Sequence, residues 1–230
     1  MKRSRINALI REAKQLLKER QFHLPPFAYW PPERWSTAGP ECERIMENGL
    51  GWDVTDLGMN QFDRFGAVIF TLRNGNYAHP ERGTPYAEKI IILKPGQVLP
   101  LHFHWSKTED IINRGGGILM MQLYKALEDN GIDRASSPKV FCDGSERTYQ
   151  PGEVFELHPG ESITVTPRLF HSFWASGKGG TLLCGEVSSV NDDRTDNYFA
   201  EPLSRFSQIE EDEPPIHLLC NEYPKPPEVF

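Results

Sequence analysis

Residues 96–116 read Gly96-Gln-Val-Leu-Pro-Leu-His-Phe-His-Trp-Ser-Lys-Thr-Glu-Asp-Ile-Ile-Asn-Arg-Gly-Gly116, and they set two histidines, His102 and His104, two positions apart. Side chains at i and i+2 of a β-strand point to the same face, so both imidazoles can reach one ion. Glu109 follows just past the predicted strand end, and His171 comes later in the chain. Three imidazoles and one carboxylate suit zinc, iron(II), manganese or nickel better than calcium or magnesium, which prefer oxygen ligands. The stretch therefore predicts a transition-metal site.

A pair of histidines in a strand is by itself weak support for a metal, because such pairs also occur at ordinary half-exposed positions. Here the strand is bracketed by turn residues, with Gly96 and Pro100 before it and Gly115 to Gly117 after it. The whole stretch resembles the first motif of the cupin superfamily in all of its fixed positions. That resemblance implies that His102, His104, Glu109 and His171 are the metal ligands.

A second cupin motif, which runs from Gly160 to His171, is looser. Proline, glycine and asparagine are usual in this motif at three positions where the chain has Thr166, Arg168 and Ala175. These departures affect the expected turn more than the ligand, because Pro167 still supplies a rigid bend and His171 stays in register.

Length and charge limit the function classes. The chain has 230 residues and a formal net charge of -7, with no basic runs, which argues against nucleic acid or an anionic membrane as the main partner. No apolar stretch approaches the ~20 residues of a membrane span, and the first residues lead into an amphipathic segment rather than a signal-peptide core. We therefore expect a cytoplasmic protein. Four cysteines are widely spaced, which predicts reduced, buried thiols: Cys42, Cys142, Cys184 and Cys220.

Hydrophobic periodicity predicts an N-terminal helix with Ser4 as its N-cap, ending near Arg20, and a short second helix at about 41–48. From Ala67 onward, short β-rich runs alternate with Gly, Pro and Asp turns. We predict an all-β core, a cupin double-sheet antiparallel jelly-roll barrel with an N-terminal helical extension. One domain is expected over 1–230, divided into an N-terminal extension (1–60), a barrel core (66–190) and a C-terminal extension (191–230), whose last part, Asn221 to Pro227, is predicted to be an extended tail.

Nearly the whole chain resembles the D-lyxose isomerases, cupin-type enzymes that interconvert aldoses and ketoses. The stretches that carry this resemblance are His102-Phe-His-Trp-x-Lys-x-Glu-Asp-Ile-Ile-Asn-Arg-Gly-Gly-Gly117, His171-Ser-Phe-Trp-Ala175, Gly185-Glu-Val-Ser-Ser-Val-Asn-Asp-Asp193, Asp212-Glu-Pro214 and Leu219-Cys-Asn-Glu-Tyr223. The resemblance implies a manganese-dependent homodimer that converts D-lyxose to D-xylulose, with D-mannose and D-fructose as a secondary pair.

Moving a carbonyl from C1 to C2 requires an acid/base group above the C1–C2 bond and stabilisation of an enediolate. Glu186 is the leading candidate for that group, because it lies in an apolar strand where a carboxylate is either paired or functional. Asp193 lies nearby, and Lys89 is predicted to stabilise the oxyanion or to move the hydroxyl proton. Candidate sugar-binding residues are Trp105, predicted to line the cavity, together with Lys107 and Arg114.

The sequence also allows other interpretations of these residues, of the mechanism and of the function. A lysine–carboxylate pair at positions 89 and 186 is also compatible with a purely structural brace. A metal-assisted hydride shift is the mechanistic alternative to proton transfer. An Fe(II)-dependent cupin dioxygenase would use the same ligands, and a non-catalytic sugar-binding cupin would not need Glu186 or Lys89 for ligand affinity.

Overall fold

A computed structural model describes residues 1–204 and 206–224 of the chain; the last residues of the predicted C-terminal tail, 225–227, lie outside them, as do residues 228–230. The helices are α1 (Arg3–Glu19), α2 (Pro32–Ser36), α3 (Glu43–Glu47) and α4 (Phe62–Phe65), with 3-10 turns at Pro26–Tyr29 and Pro40–Cys42. The strands are β1 (Gly51–Thr55), β2 (Ala67–Arg73), β3 (Tyr86–Leu93), β4 (Val98–His104), β5 (Glu109–Asn113), β6 (Gly117–Ala126), β7 (Ile132–Asp133), β8 (Lys139–Cys142), β9 (Ser145–Thr148), β10 (Val154–Leu157), β11 (Ser162–Val165), β12 (Leu169–Gly179), β13 (Leu182–Ser189) and β14 (Asn197–Phe199).

In the part of the chain that the structure describes, these strands form two antiparallel sheets. The larger sheet has eight strands in the order β1-β2-β3-β13-β5-β11-β8-β9. The smaller sheet has six strands, with the order β10-β6-β12-β4-β14 and β7 paired to β6. This double-sheet antiparallel architecture confirms the predicted cupin jelly roll.

Alternation along β3 shows how the sheets bury their apolar side chains. Ile91 and Leu93 belong to the cluster between the two sheets, whereas Ile90 and Ile92 pack on the opposite face against α1. Successive strand residues point to opposite faces, so a strand buried on both sides reads as a continuous apolar run. Each fully buried aliphatic side chain of this kind contributes about 1.5–3 kcal/mol to stability.

Helix α1 confirms the predicted amphipathic helix but not its predicted cap. Lys2 is the N-cap residue and makes no side-chain capping bond, whereas Ser4 lies inside the first turn. Asp212 instead accepts hydrogen bonds from the Ser4 backbone N–H at 2.8 Å and from Ser4 Oγ at 2.7 Å. A carboxylate from a distant segment therefore satisfies an N–H group that a local side chain usually satisfies.

Both predicted extensions contribute strands to the sheets. β1 comes from the N-terminal extension and pairs with β2, while β14 comes from the C-terminal extension and pairs with β4. The limits predicted at 66 and 190 therefore do not coincide with the limits of the sheets. None of the helices in residues 1–204 and 206–224 is long and apolar enough to cross a membrane.

Candidate metal centre and active site

The three histidines converge between the two sheets. His102 and His104 lie on β4, and His171 lies on β12, where it is the direct register partner of His102. All three are buried, and a set of their ligand atoms lies within 4.8 Å of one another. The predicted strand geometry thus brings His171 to the same point as the His102 and His104 pair.

Backbone carbonyls orient two of the imidazoles. His102 Nδ1 lies 2.7 Å from the carbonyl oxygen of Pro100, and His171 Nδ1 lies 3.0 Å from that of Leu169. An Nδ1–H that is held by a carbonyl leaves the Nε2 lone pair available to a metal. Burial, followed by the neighbouring His171 and His104, holds the pKa of His102 well below its usual value, which keeps this imidazole neutral.

The donor set fits a transition metal. Glu109 Oε1 lies 3.0 Å from His171 Nε2 and 3.2 Å from His104 Nε2, so the carboxylate converges with the imidazoles. Within the described residues, His171 Nε2 is buried and has no hydrogen bond of acceptable geometry. A buried nitrogen of this kind is costly unless it has a partner, and a cation with imidazole and carboxylate ligands would supply one.

The turn before β12 preserves the position of His171 despite the loss of the usual glycine. Arg168 adopts a left-handed backbone conformation with φ of 62°, which costs an ordinary residue about 1–2 kcal/mol. Its guanidinium is fixed by the side chain of Asn130 and the carbonyl of Leu127, and its backbone N–H donates to the His104 carbonyl at 2.9 Å. These bonds hold in place a turn that the sequence pattern left open.

A buried network of charges adjoins the histidines. Lys89 on β3 is the register partner of Glu186 on β13, and its ammonium lies 3.3 Å from Glu186 Oε1 and 3.0 Å from Asp193 Oδ1. Lys107 Nζ lies 3.1 Å from the same Glu186 oxygen and 2.6 Å from Glu109 Oε2. The network links the proposed metal ligand to the candidate acid/base groups.

Electrostatics keeps Lys107 charged although it is buried. Burial lowers its pKa, but the carboxylates of Glu109, Glu186 and Asp193 outweigh that effect and raise the pKa above its usual value. Burial also opposes ionisation of Glu109, yet Lys107 and then His104 bring its pKa well below the usual range. Lys107 is therefore a buried cation, whereas a solvent-facing charge is the usual state of a lysine.

Two predicted sugar-binding residues lie outside the cavity that His102, His104 and this charge network line. Trp105 is 43% exposed and packs edge-on against Phe103 and Tyr198. Arg114 is exposed and packs beside Gly185 at the other end of β5. The prediction that Trp105 lines the cavity is wrong, because along β4 the inward positions are those of the histidines and Trp105 shares the outward position of Phe103.

Asp196 is a site residue that the sequence analysis missed. Its carboxylate accepts hydrogen bonds from Ser106 N and Oγ at 2.9 and 2.7 Å and from Lys107 N at 3.3 Å, and it faces His104 Nδ1 at 3.7 Å. Asp196 thus fixes the turn that carries Lys107 between β4 and β5. No spacing pattern indicates this contact, since the partners are far apart in the chain.

Comparison with known proteins matches the chain to one family model and to named relatives. The family model described as D-lyxose isomerase matches residues 1–223. The D-lyxose/D-mannose isomerase of Serratia proteamaculans is 46% identical over 224 residues, covering 97% of this chain and 98% of that protein. The protein of the same name from Escherichia coli O157:H7 is 46% identical over 228 residues, with the same coverage of 97% and 98%.

Solved structures share the fold at lower identity. The L-ribose isomerase of Acinetobacter sp. DL28 in complex with L-ribose superposes with a TM-score of 0.58 at 16% identity, over 90% of this chain and 98% of that one. The L-ribose isomerase of Cellulomonas parahominis with L-ribose gives a TM-score of 0.57 at 16% identity, over 87% and 95%. At this level of identity the likeness concerns the fold.

Proposed function

The chain belongs to the D-lyxose isomerase family, and on that premise we propose that it is a metal-dependent sugar isomerase. Its proposed reaction interconverts D-lyxose and D-xylulose, with D-mannose and D-fructose as the secondary pair. The observation that supports this most directly is the meeting of three buried imidazoles with a buried lysine–carboxylate network, beside a cavity that His102, His104 and this network line. Relatives named for D-lyxose and D-mannose support the choice of substrates.

His102, His104, Glu109 and His171 are proposed to hold the metal, and Mn²⁺ is the proposed ion. Mixed imidazole and carboxylate donors accommodate manganese, and the family resemblance favours it. When bound, a divalent cation would polarise the sugar carbonyl and stabilise negative charge on O1 and O2.

Glu186 is the proposed acid/base group. Its carboxylate is buried, and Oε1 accepts hydrogen bonds from Lys107 at 3.1 Å and Ser188 at 3.3 Å. In the proposed reaction this carboxylate removes the C2 proton, and the electron pair forms the C1–C2 double bond of an enediolate as the carbonyl π pair moves onto O1. The protonated carboxyl group exchanges with solvent and then delivers a proton to C1. The lysine ammonium groups hold the carboxylate in place, so that its remaining lone pairs can face the substrate.

Lys89 and Asp193 are proposed to move the hydroxyl proton from O2 to O1. Lys89 Nζ donates to both Asp193 oxygens, at 3.0 and 3.1 Å, and Asn191 Nδ2 donates to Oδ1 at 2.6 Å. A carboxylate that is oriented by two donors beside an ammonium group has the required donor and acceptor in one pair. Lys107 holds Glu109 and Glu186 at a fixed separation, and it has little freedom to bind sugar directly.

The deciding experiment follows the isomerisation of D-lyxose and D-mannose by NMR in deuterated water, with manganese-loaded protein and a chelated control. Metal-dependent ketose formation with deuterium at C1 supports the proposal. Ketose formation with complete retention of the substrate hydrogen would favour the hydride shift. No conversion of either sugar would overturn the isomerase and favour the dioxygenase or the non-catalytic sugar-binding cupin.

A homodimer and a cytoplasmic location remain proposals that follow from the family resemblance and the sequence. Light scattering at several protein concentrations tests the first, and cell fractionation tests the second.

A further inference from the structure

A second, larger cavity adjoins the metal centre. The cavity at the histidines has a volume of about 60 Å³, whereas the neighbouring cavity has about 350 Å³. Lys89 and Asp193 line both of them. On the scale in which one water needs roughly 10–15 Å³, the smaller cavity holds about four to six waters. The wall that it shares with the larger cavity offers further space to a sugar whose C1 and C2 lie at the metal.

The strand register gives a polar route between the two cavities. Glu186 on β13, Lys89 on β3 and Thr71 on β2 are successive cross-strand partners, and all three are buried. Neighbouring strands lie about 4.8 Å apart, so this row extends about 10 Å from Glu186 to Thr71. An extended sugar chain is shorter than this and can lie along the row.

Three asparagines line the larger cavity, and each has an amide oxygen without a hydrogen-bond partner within the described residues. Within the described residues, the Oδ1 atoms of Asn48, Asn74 and Asn191 are buried and accept no hydrogen bond. Asn48 is 7% exposed and Asn191 is 4% exposed. Leaving a buried acceptor unsatisfied costs about 1–3 kcal/mol, so three in one cavity point to a ligand that donates hydrogen bonds.

The amide nitrogens of these residues fix the direction of the oxygens. Asn48 Nδ2 donates to the Arg82 carbonyl at 3.2 Å, and Asn191 Nδ2 donates to Asp193 Oδ1 at 2.6 Å. Asn74 Nδ2 lies 3.4 Å from the carbonyls of both Asn48 and Asn191. Because every NH₂ group has an acceptor inside the protein, exchanging oxygen and nitrogen would lose these bonds.

We propose that this cavity, the asparagine chamber formed by Asn48, Asn74, Asn191 and Thr71, binds the hydroxyl groups at the far end of the open-chain sugar. Carbonyl oxygens also suit a hard cation. The residues that line the cavity include four carboxylates and two cationic side chains, Glu47, Asp53, Asp192, Asp193, Lys89 and Arg194, so a cation is the alternative that the calcium measurement below tests. Sugar hydroxyls donate to the amide oxygens and bring no charge. The inference rests on the proposed function and deepens it, since the chamber would set the relative affinity for pentoses and hexoses.

The test uses D-lyxose and D-mannose, which share their configuration from C2 to C4 and differ by the terminal carbon. Asn74→Ala and Asn48→Ala each remove one oxygen. We expect each to raise KM for D-mannose about three- to tenfold, to raise KM for D-lyxose less, and to change kcat less than twofold. The control is Gln15→Ala, which removes an exposed amide from α1 and should leave both KM values unchanged.

Two further measurements separate binding from folding and from turnover. Asn48→Asp keeps an oxygen toward the chamber while losing the donor to Arg82, so it should retain the KM for D-mannose if the oxygen is what matters. Ligand-observed NMR of D-mannitol with metal-depleted protein reports binding without catalysis. The binding of D-mannitol should be weaker in Asn74→Ala than in the wild-type protein. Thermal unfolding of each variant identifies any that fail to fold.

The outcomes distinguish this inference from the proposed function. If the wild-type protein isomerises both sugars and the folded alanine variants keep both KM values and the mannitol binding, the chamber assignment is wrong and the isomerase stands. If the wild-type protein isomerises neither sugar but mannitol binding depends on Asn74, the chamber binds polyols and the isomerase is wrong. Calcium binding that is lost in Asn74→Ala would overturn the inference in favour of a cation site.

Discussion

The ammonium of Lys107 lies 2.6 Å from Glu109 Oε2, and only 2% of either side chain is exposed to solvent. The same ammonium lies 3.1 Å from Glu186 Oε1, so one buried cation joins a proposed metal ligand to the proposed acid/base group. In water such a pair would have little net effect, but in a buried site each charge depends on the other. This relationship makes Lys107 the residue on which the arrangement of both carboxylates depends.

Lys107→Met should therefore weaken the metal site and destabilise the fold. Removing one partner of a buried pair typically costs about 3–5 kcal/mol, and losing a group that orients a ligand costs about 10–100-fold in metal affinity. Titration of metal-depleted protein with Mn²⁺ and thermal unfolding measure the two effects. The matched control is Lys139→Met, because Lys139 pairs with Glu146 at 3.2 Å on the surface. This variant should change neither the Mn²⁺ affinity nor the thermal stability. Equal metal affinity in both variants would show that Lys107 does not hold Glu109.

Glu186→Gln should abolish most turnover while the metal stays bound. General acid–base groups contribute about 10²–10⁴-fold to rate, and the amide can neither take up nor return the C2 proton. Steady-state kinetics with D-lyxose, together with metal analysis of the same sample, separates the two properties. Loss of the metal in parallel with activity would indicate a structural role for this carboxylate.

His171→Ala should remove the metal without unfolding the barrel core. Its Nε2 is a buried nitrogen that lacks a suitable hydrogen bond within the described residues, so a cation would supply the partner that the protein does not. We expect isomerase activity to disappear and the stability gain that Mn²⁺ gives the wild-type protein to be lost. Thermal unfolding with and without Mn²⁺ tests this, and an undiminished shift in the variant would exclude His171 as a ligand.

Trp105→Leu should leave the KM values for both sugars unchanged, because the indole packs outside the cavity on Phe103 and Tyr198. A small loss of stability, about 1 kcal/mol, is expected from the lost aromatic contacts. Steady-state kinetics measures the KM values, and thermal unfolding measures the loss of stability. A KM that rises tenfold would return Trp105 to the binding site.

Arg3→Met should reduce stability in a pH-dependent way. Arg3 donates to Glu211 at 2.6 Å and to Glu222, and it lowers the pKa of Glu211 below its usual value. A carboxylate with a lowered folded-state pKa contributes stability that is fully present above its unfolded pKa of about 4.3 and is lost as the pH falls through the folded pKa. The free energy of unfolding of Arg3→Met should thus be lower than that of the wild-type protein by a constant amount, about 1–3 kcal/mol, above pH ~5. This difference should narrow below pH ~4.

Chemical unfolding of Arg3→Met across that pH range provides the measurement. Lys2→Met serves as the control, because Lys2 and Glu210 are 4.0 Å apart and both are largely exposed. A difference that stays constant down to pH 3 would indicate that Arg3 acts through packing rather than through its charge.

Strand alternation explains how far the sequence could predict the site. It places His102 and His104 on one face. It also predicts that Glu88 and Lys89, which are neighbours on β3, point to opposite faces, and in the structure Lys89 is the buried one. Applied to Trp105, the same rule predicts the outward position that the structure shows. Lys107 follows β4 in a turn, where no periodicity specifies a direction, and its burial depends on contacts with Asp196 and Glu186 that only the folded chain brings together.

The fold was predictable in outline because turn residues separate its β-rich runs, but its edges were not. β1 and β14 are short, and each depends on pairing with a strand from another part of the chain. Local sequence carries little information about such pairings. The asparagine chamber escaped sequence analysis for the same reason, since Asn48, Asn74 and Asn191 come from three separate segments.

The attachment of α1 to the segment around Glu211 has a consequence for the order of events during synthesis. Arg3 and Glu211 are 208 positions apart, and translation adds about 5–20 residues per second. Until the acidic segment emerges from the ribosome, the guanidinium of Arg3 has none of its eventual carboxylate partners and Ser4 has no Asp212. Helix α1 is therefore made well before the segment that completes its contacts, and it is among the last parts of the molecule to reach its final contacts.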